Sequence, residues 1–249
     1  MGTGCTKMGV CGKNGEIAAI QDLIVYALRG FALAATDAAS KNMLPAEAGR
    51  LCVQGLFSTV TNVNFDQKPL VDILKRIVEA RKSLSAKSGF NSDLEITKFE
   101  PAQSMDDLLA QAGMASTTHF AEDENTNGLA QTLLFGLKGA AAYADHACLL
   151  GKADPDPYKA FFKGLAFGFD GKKPSLEEWV AAVLDCGRTN LRAMELLDAA
   201  NTETYGHPEP TQVSLAPKEG KAILVTGHDL KDIHDLLEQS AGKGINIYT

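Results

Sequence analysis

Two cysteines near the start of the chain are the residues best suited to bind a metal. Cys5 and Cys11 lie in the segment GCTKMGVCGK, residues 4–13, which places glycines beside both thiols. Iron–sulfur clusters take thiolate ligands from tight loops, and glycines let backbone amides turn toward the sulfurs. The charges of Lys7 and Lys13 favour the thiolate form. Because a complete cluster needs four ligands, a lone pair of cysteines at this spacing is more often incidental than a metal site.

A second candidate lies in the segment Thr226-Gly227-His228-Asp229, between a predicted strand and a predicted helix. In open α/β sheets, ligand sites gather at the carboxyl ends of strands. His228 is therefore a candidate metal ligand or acid–base group. The alternative is a histidine that holds the loop by hydrogen bonds, with Asp229 as a simple helix cap. The local sequence does not separate these two interpretations.

Other polar and thiol side chains have simpler explanations. Cys52, Cys148 and Cys186 lie within helical patterns, where a buried apolar thiol is the usual outcome. Thr61 and Asn62 follow a predicted helix, where such side chains commonly cap and turn the chain. The sequence has no GxGxxG, no phosphate loop and no HExxH, so no motif favours a nucleotide-binding or zinc-hydrolase function.

The composition is that of an ordinary globular protein. Of the 249 residues, 45% are hydrophobic and 22% charged, with a net charge of -7. The chain can therefore bury a core, and it lacks the basic footprint of a nucleic-acid-binding protein. No uninterrupted apolar run reaches the roughly 18–20 residues of a membrane span, and the first residues have no signal-peptide pattern. The five cysteines, an odd number without a secretion signal, favour buried thiols or metal ligands over disulfides.

Most of the first two hundred residues are predicted to be helical. The first helix runs from Glu16 to about Lys41, because Ile17, Ile20 and Ile24 recur at spacings of three and four. Further helices are predicted over Ala46–Thr59, Leu70–Ala86, Met105–Ala112, Gly128–Leu150, Pro157–Phe169 and Ser175–Ala200. The last of these begins with the capping box S-L-E-E. Together they predict a packed, antiparallel helix bundle.

The character of the sequence changes at Tyr205, where a proline-punctuated loop begins. Residues 222–225 form a short apolar run, as expected of a buried parallel strand. An amphipathic helix is predicted over 229–241, and a second strand over 245–248. This order is one βαβ unit.

These patterns divide the chain into three parts. We predict a helical domain over residues 1–204, a linker over 205–220, and the first βαβ unit of an α/β (Rossmann-like) domain over 221–249. Two parallel strands and one helix cannot cover both faces of a sheet. We therefore expect the α/β domain to be truncated, with its further strands in a missing C-terminal part or in a partner.

Six separated segments resemble the hybrid-cluster proteins, also called hydroxylamine reductases, in the same order along nearly the whole chain. They are GCTKMGVCGK, IQDLIVYALRG, QGLFSTVTNVNFD, GLKGAAAYADHA, TETYGHPEPTQV and ILVTGHDLKDIHDLLEQSAGKGINIYT. Proteins of that family carry a near-N-terminal cluster held by four cysteines, which opens with a Cys-x-x-Cys pair. They also carry a hybrid iron–sulfur–oxygen cluster, the substrate site, with histidine, glutamate and cysteine ligands.

The resemblance implies roles for five residues of this sequence. Cys5 and Cys11 resemble the third and fourth ligands of a [4Fe–4S] cluster. His228 resembles the histidine ligand of the hybrid cluster and would be part of the catalytic site. Thr61 and Asn62 match a polar segment near that cluster and would line its pocket.

The resemblance also implies that both clusters are incompletely liganded by these residues. The family's opening Cys-x-x-Cys would precede Gly2, and the remaining hybrid-cluster ligands would follow Thr249. We therefore expect this sequence to be an N-terminal fragment of such a protein.

The function implied is that of an iron–sulfur oxidoreductase that reduces hydroxylamine to ammonia and water, and also nitric oxide, with electrons from a redox donor protein. The expected location is the cytoplasm, with no nucleic-acid or membrane partner, and the chain alone is expected to be inactive. Two alternatives stay open: a non-catalytic helical scaffold or assembly module, and a redox protein related to the carbon monoxide dehydrogenases. The hydroxylamine-type loops argue against the latter.

Overall fold

The computed structural model describes residues 8–9, 11–60, 65–115, 117, 119–227 and 229–249. The fold is mainly helical, which confirms the predicted class. The elements are α1 (Gly15–Ser40), α2 (Ala46–Ser58), α3 (Gln67–Ser88), α4 (Met105–Gln111), α5 (Glu124–Leu149), α6 (Pro155–Ala166), α7 (Leu176–Tyr205), β1 (Lys221–Leu224), α8 (Leu230–Ser240) and β2 (Ile245–Tyr248). Two short 3-10 helices, Glu95–Thr97 and Ala112–Met114, lie between α3 and α5.

Helix α1 forms the centre of the helical part. Its apolar face is buried, as the three–four spacing predicts, and α3 and α6 lie against it. Close contact is possible because Gly30 has no side chain: a Cβ there would lie 2.2 Å from the carbonyl oxygen of Ile96. Gly49 of α2 similarly accommodates the ring of Tyr158, which a Cβ would approach to 2.3 Å. Both glycines therefore fix how closely neighbouring segments approach.

Helix α1 is also long and apolar enough to cross a membrane by length and composition alone. In the structure, 78% of its most apolar 18-residue window is buried inside the protein. A helix buried to this extent is typical of the centre of a helical core.

Side-chain caps fix where several helices begin. Asp66 accepts a hydrogen bond of 3.0 Å from Lys68 N, and Asp123 caps α5 through its carboxylate. Because of these caps, α3 and α5 each begin a few residues before the predicted start. The capping box predicted for α7 is confirmed, since Ser175 N donates to Glu178 Oε2 at 2.7 Å and Glu178 N to Ser175 Oγ at 3.3 Å.

The chain separates into two compact units, residues 1–200 and 201–249. In the second unit, β1 and β2 pair in parallel, with Lys221 opposite Ile245 and Leu224 opposite Tyr248. With α8 between them in sequence, this is the predicted βαβ order. The expectation that β1 is buried is wrong, because all four of its residues are exposed. In the described part of this unit, two strands and one helix do not cover both faces of the sheet.

Candidate cluster-binding loop

Of the five residues to which the resemblance gives roles, the structure describes one. Cys5, Thr61, Asn62 and His228 lie outside the described residues. Cys11 is described, and its side chain is exposed. The described part of the candidate site is therefore the loop around Cys11 with the elements that hold that loop.

The backbone turns tightly around Cys11. Gly9 N donates to the Lys13 carbonyl at 2.8 Å, and Gly12 N donates to the Gly9 carbonyl at 2.8 Å. Gly12 has a φ of +98°, in the region that favours glycine. A Cβ at Gly9 would lie only 2.9 Å from Cys11 Sγ, so a side chain at position 9 would collide with the sulfur. Because position 9 is glycine, the thiol of Cys11 stays accessible, with no side chain from position 9 beside it.

A chain of hydrogen bonds connects this loop to the end of α2. Lys13 Nζ donates to Gln21 Oε1 at 2.7 Å, and Gln21 Nε2 donates to the Ser58 carbonyl at 3.0 Å. Gln21 is buried on the apolar face of α1. Sequence reasoning gave Lys13 the role of favouring the Cys11 thiolate and overlooked Gln21. The available signal was a glutamine that interrupts the apolar spacing of α1, four residues after Ile17.

The residues that flank the segment 61–64 lie close to the Cys11 loop. Ser58, the last residue of α2, is bound by Gln21, and a Cβ at Gly12 would lie 3.8 Å from the ring of Phe65. Both sides of the segment that carries Thr61 and Asn62 are thus adjacent to residues of the cysteine loop or their anchor.

Next to Gln21, two oppositely charged side chains are withdrawn from solvent. Asp22 accepts a hydrogen bond of 3.0 Å from Thr117 Oγ1, and burial raises the pKa of its carboxyl group. Lys138 of α5 is 6% exposed. Burial lowers the pKa of its ammonium to about 8, and the opposing charge of Asp22 moderates this effect. Within the described ranges, Lys138 makes no hydrogen bond and no ion pair within 4 Å.

Arg29, two turns after Asp22 on α1, is a second buried cation. Its guanidinium carbon lies 4.4 Å from the ring centroid of Phe120 and 3.9 Å from that of Phe169. Burial lowers the pKa of the Arg29 guanidinium to about 9. Stacking on two rings offsets part of the cost of burying this charge. Lys138, Lys13 and Arg29 thus all act on one carboxylate, and the charge of each lowers the pKa of Asp22 against the larger effect of burial.

Two of the three helical cysteines lie in the hydrophobic core. Cys52 is fully buried in α2, and burial raises the pKa of its thiol. Cys186 is buried in α7, and burial raises its pKa to about 11. These two confirm the predicted buried thiols, whereas Cys148 is half-buried, with Tyr158 Oη at 3.8 Å from its sulfur. Raised thiol pKa values disfavour the thiolate that a metal requires.

The second predicted site region is described only in part. Asp229 accepts hydrogen bonds from Lys231 N at 2.9 Å and from Asp232 N at 3.3 Å, so it caps α8. On the same helix, His234, Asp235 and Glu238 bring potential ligand atoms within 4.8 Å of one another. These side chains are largely exposed, and Lys231 Nζ already binds both carboxylate oxygens of Asp235 at 2.6 Å. A cation would have to displace that lysine.

The described residues fit one thiolate position of an iron–sulfur cluster. Cys11 offers an accessible sulfur, and the space beside it is one that a Cβ at Gly9 would fill. A cluster of this kind requires four such ligands. The loop therefore suits the group that the resemblance implies, and within the described ranges it supplies one ligand.

Comparison with known proteins agrees with this chemistry. The model of the Prismane/CO dehydrogenase family matches residues 1–249. The hydroxylamine reductase of Solidesulfovibrio magneticus is 50% identical over 250 residues, which cover all of this chain and 46% of that relative. Those of Syntrophobacter fumaroxidans and Methanocella arvoryzae are 49% and 46% identical, each over 256 residues that cover this whole chain and 47% of the relative.

The chain thus spans about half the length of the curated relatives it matches. A match over every residue is decisive for family membership, and the chain belongs to the Prismane/CO dehydrogenase family.

Proposed function

We propose that this chain is part of an iron–sulfur oxidoreductase that reduces hydroxylamine to ammonia and water, and also acts on nitric oxide. The N–O bond of hydroxylamine breaks as two electrons and two protons are taken up, which yields one ammonia and one water. The electrons come from a redox donor protein in the cytoplasm. The chain by itself is inactive, because in this proposal the ligand sets of both clusters require residues beyond these 249.

The observation that carries this proposal is the family match over the whole chain, together with relatives named hydroxylamine reductase at up to 50% identity. Prismane-family proteins carry iron–sulfur clusters. The Cys11 loop supports the same conclusion from the structure, since its sulfur is accessible and its neighbouring glycines leave room beside it.

In this function the described residues of the loop and of the elements around it have separate roles. Cys11 would hold one iron of a [4Fe–4S] cluster, and that cluster would supply electrons to the substrate site. Gly9 keeps a side chain away from the sulfur, and Gly12 allows the positive φ that the turn requires. Lys13 and Gln21 tie the loop to the end of α2, from which the segment with Thr61 and Asn62 continues. Asp229 holds the first turn of α8 directly after His228, the proposed ligand of the hybrid cluster.

The test uses this chain alone and the same chain joined to the unmatched segments of the Solidesulfovibrio magneticus relative. After anaerobic loading with iron and sulfide, we expect the joined protein to oxidise reduced viologen when hydroxylamine is added, with one ammonia per two electrons. We expect the chain alone to give no turnover. Absence of turnover in a joined protein with a full complement of clusters would contradict the proposal, as would turnover by the 249 residues alone.

A matched pair of thiol variants tests the role of Cys11. In the joined protein, Cys11→Ser is expected to remove the absorption and reduced-state paramagnetic signal of the cysteine-held cluster. Cys148→Ser changes a half-buried helical thiol and is expected to leave both signals intact. Equal losses in the two variants would remove Cys11 from the ligand set.

Carbon monoxide oxidation is the second candidate activity, because the description of the matching family also names CO dehydrogenases. The same joined protein can be assayed for viologen reduction by carbon monoxide. The proposal predicts hydroxylamine turnover without carbon monoxide oxidation, and the reverse pattern would replace it with the CO dehydrogenase function.

A further inference from the structure

Helix α7 is held to the helical unit by one side. Trp179, Cys186 and Ala193 are buried at intervals of seven residues, the repeat of a helix that packs along its length. The ring of Trp179 meets Phe167 edge to face at 4.8 Å. Further along the helix, Arg192 binds Asp154 with Nε at 2.9 Å and Nη2 at 2.8 Å.

A different side of α7 carries a second apolar row, here called the α7 stripe. Its members are Leu176, Val180, Leu184, Leu191 and Met194, and each is 44–63% exposed. From Val180 onward, with Gly187 included, the row advances by four, three, four and three residues. This is the spacing of a seam that fits against another helix. The whole row, from Leu176 to Met194, extends about 27 Å along α7.

A continuous apolar row of this length is more than ordinary surface exposure. Single exposed apolar residues are normal on protein surfaces, whereas contiguous apolar patches mark interaction sites. The buried side of α7 already holds the helix against the helical unit, so the exposed stripe is not needed to keep the helix in place. It therefore has the character of an interface.

Gly187, at the centre of the stripe, supports this conclusion independently. A Cβ at this position would meet nothing within 4 Å, so the described fold does not require glycine there. Glycine in the middle of a helix costs about 1 kcal/mol relative to alanine. A glycine that the surrounding fold does not need, in the centre of an apolar seam, allows a second helix to approach closely.

The relatives indicate what covers the stripe. Each joins a region that matches this chain to a remainder that makes up more than half of its length. We propose that the α7 stripe is the docking face for a helix from that remainder of a prismane-family protein. In the relatives this remainder belongs to the same polypeptide as the matched region, so every copy of the matched region has one beside it.

The proposal rests on family membership and not on the reductase activity, so loss of turnover leaves it standing. The test is co-production of tagged chain with the longest unmatched segment of the Solidesulfovibrio magneticus hydroxylamine reductase. We expect a one-to-one complex by light scattering. Leu184→Glu with Leu191→Glu is expected to raise the Kd of this complex at least tenfold. Gly187→Leu is expected to raise the Kd as well, because its side chain would fill the space through which the second helix approaches.

The matched control is Val213→Glu with Leu215→Glu, two residues of the 205–220 segment that are 75% and 96% exposed. This variant makes the same change of chemistry away from the stripe, and its Kd should stay within twofold of the original. Circular dichroism and thermal midpoints should be unchanged in both double variants, because all four residues are exposed. Equal effects of the two double variants on binding would overturn the proposal.

Two other results would also overturn it. One is a homodimer of the chain that Leu184→Glu with Leu191→Glu dissociates, since a second copy would then be the partner. The other is the absence of a complex when circular dichroism shows that the remainder is folded.

If the remainder does not fold alone, hydrogen exchange replaces the binding measurement. The amides of α7 around Gly187 should then be better protected in the joined protein than in the isolated chain, and equal protection would refute the docking.

Discussion

The side-chain oxygen of Gln21 accepts a hydrogen bond of 2.7 Å from the ammonium of Lys13, two residues after Cys11. The same amide group donates to the Ser58 carbonyl at 3.0 Å, so one buried side chain joins the cysteine loop to the end of α2. Buried hydrogen bonds of this kind are costly to break on one side, because the partner is then left unsatisfied. The position of the Cys11 loop therefore depends on a residue of the helical core.

Gln21→Leu should loosen this loop. We expect the free energy of unfolding to fall by about 1–3 kcal/mol, because the Ser58 carbonyl loses its partner. Urea unfolding measures the loss, and hydrogen exchange of the Gly9 and Gly12 amides, which hold the turn, should become faster. Gln67→Leu is the control, since Gln67 also donates to a side chain of α1, Glu16, but at the surface. Similar effects of the two variants would show that Gln21 has no special role in holding the loop.

The helices could be predicted from the sequence, whereas this connection could not. The spacing of Ile17, Ile20 and Ile24 encodes a helix with one apolar face, and all three residues are buried. The capping box at Ser175 is likewise a local signal. The bond from Gln21 to Ser58 joins positions 37 residues apart. It arises only once α1 and α2 have packed, so no local pattern contains it.

The same limit applies to the charged residues. Lys138 lies among small residues in GLKGAAAYADHA, which indicates a close helix contact but not that its ammonium becomes buried near Asp22. The exposed β1 strand shows the converse case. Its apolar run correctly indicates a strand, but burial depends on elements outside that run.

Lys138→Met should stabilise the chain. Burial of this ammonium is unfavourable, and within the described ranges its compensation comes from the distant charge of Asp22 and from the ring of Phe135, 5.2 Å away. Methionine keeps much of the volume without the charge. By analogy with buried ions replaced by apolar residues, we expect a gain of about 1–4 kcal/mol at pH 7, measured by urea unfolding. Lys163→Met, at a surface lysine, should change stability by less than about 0.5 kcal/mol. A loss of stability in Lys138→Met would contradict this account of the buried charge.

The pH dependence of stability should carry the signature of Lys138. Its pKa falls from 10.5 to about 8 on folding, so between these values the unfolded chain binds more protons than the folded one. Stability from this group therefore rises with pH, by about 1 kcal/mol between pH 7 and 9. Buried Cys52 and Cys186 act in the opposite direction near pH 9, because their thiol pKa values are raised. The comparison is thus the difference between the original chain and Lys138→Met, which should shrink as pH increases. A difference that is constant from pH 7 to 9 would mean that Lys138 does not titrate in this range.

The thiols should differ sharply in reactivity. Cys11 is exposed, whereas Cys52 and Cys186 are buried. In the native chain without iron or sulfide, a thiol reagent should therefore label Cys11 rapidly and the two buried thiols only after unfolding. Cys11→Ser should lower the number of rapidly reacting thiols by one, and Cys52→Ala should leave that number unchanged. Mass spectrometry of labelled peptides identifies each site, and rapid labelling of Cys52 would contradict the packing of α2.

Two mid-helix glycines should respond to alanine in opposite directions. At Gly30 a Cβ would lie 2.2 Å from the Ile96 carbonyl oxygen, a backbone atom that cannot move without displacing the 3-10 helix behind α1. Gly30→Ala should therefore destabilise the chain by about 1–3 kcal/mol, the range for overpacking a core. At Gly187 the same methyl group enters open space, so Gly187→Ala should stabilise α7 by up to about 1 kcal/mol through helix propensity alone. Thermal and urea unfolding of the two variants measure the expected loss of stability in Gly30→Ala and the expected gain in Gly187→Ala. If Gly187→Ala destabilised the isolated chain, the glycine would be needed within the chain itself, and Gly187 would no longer indicate a separate helix at the α7 stripe.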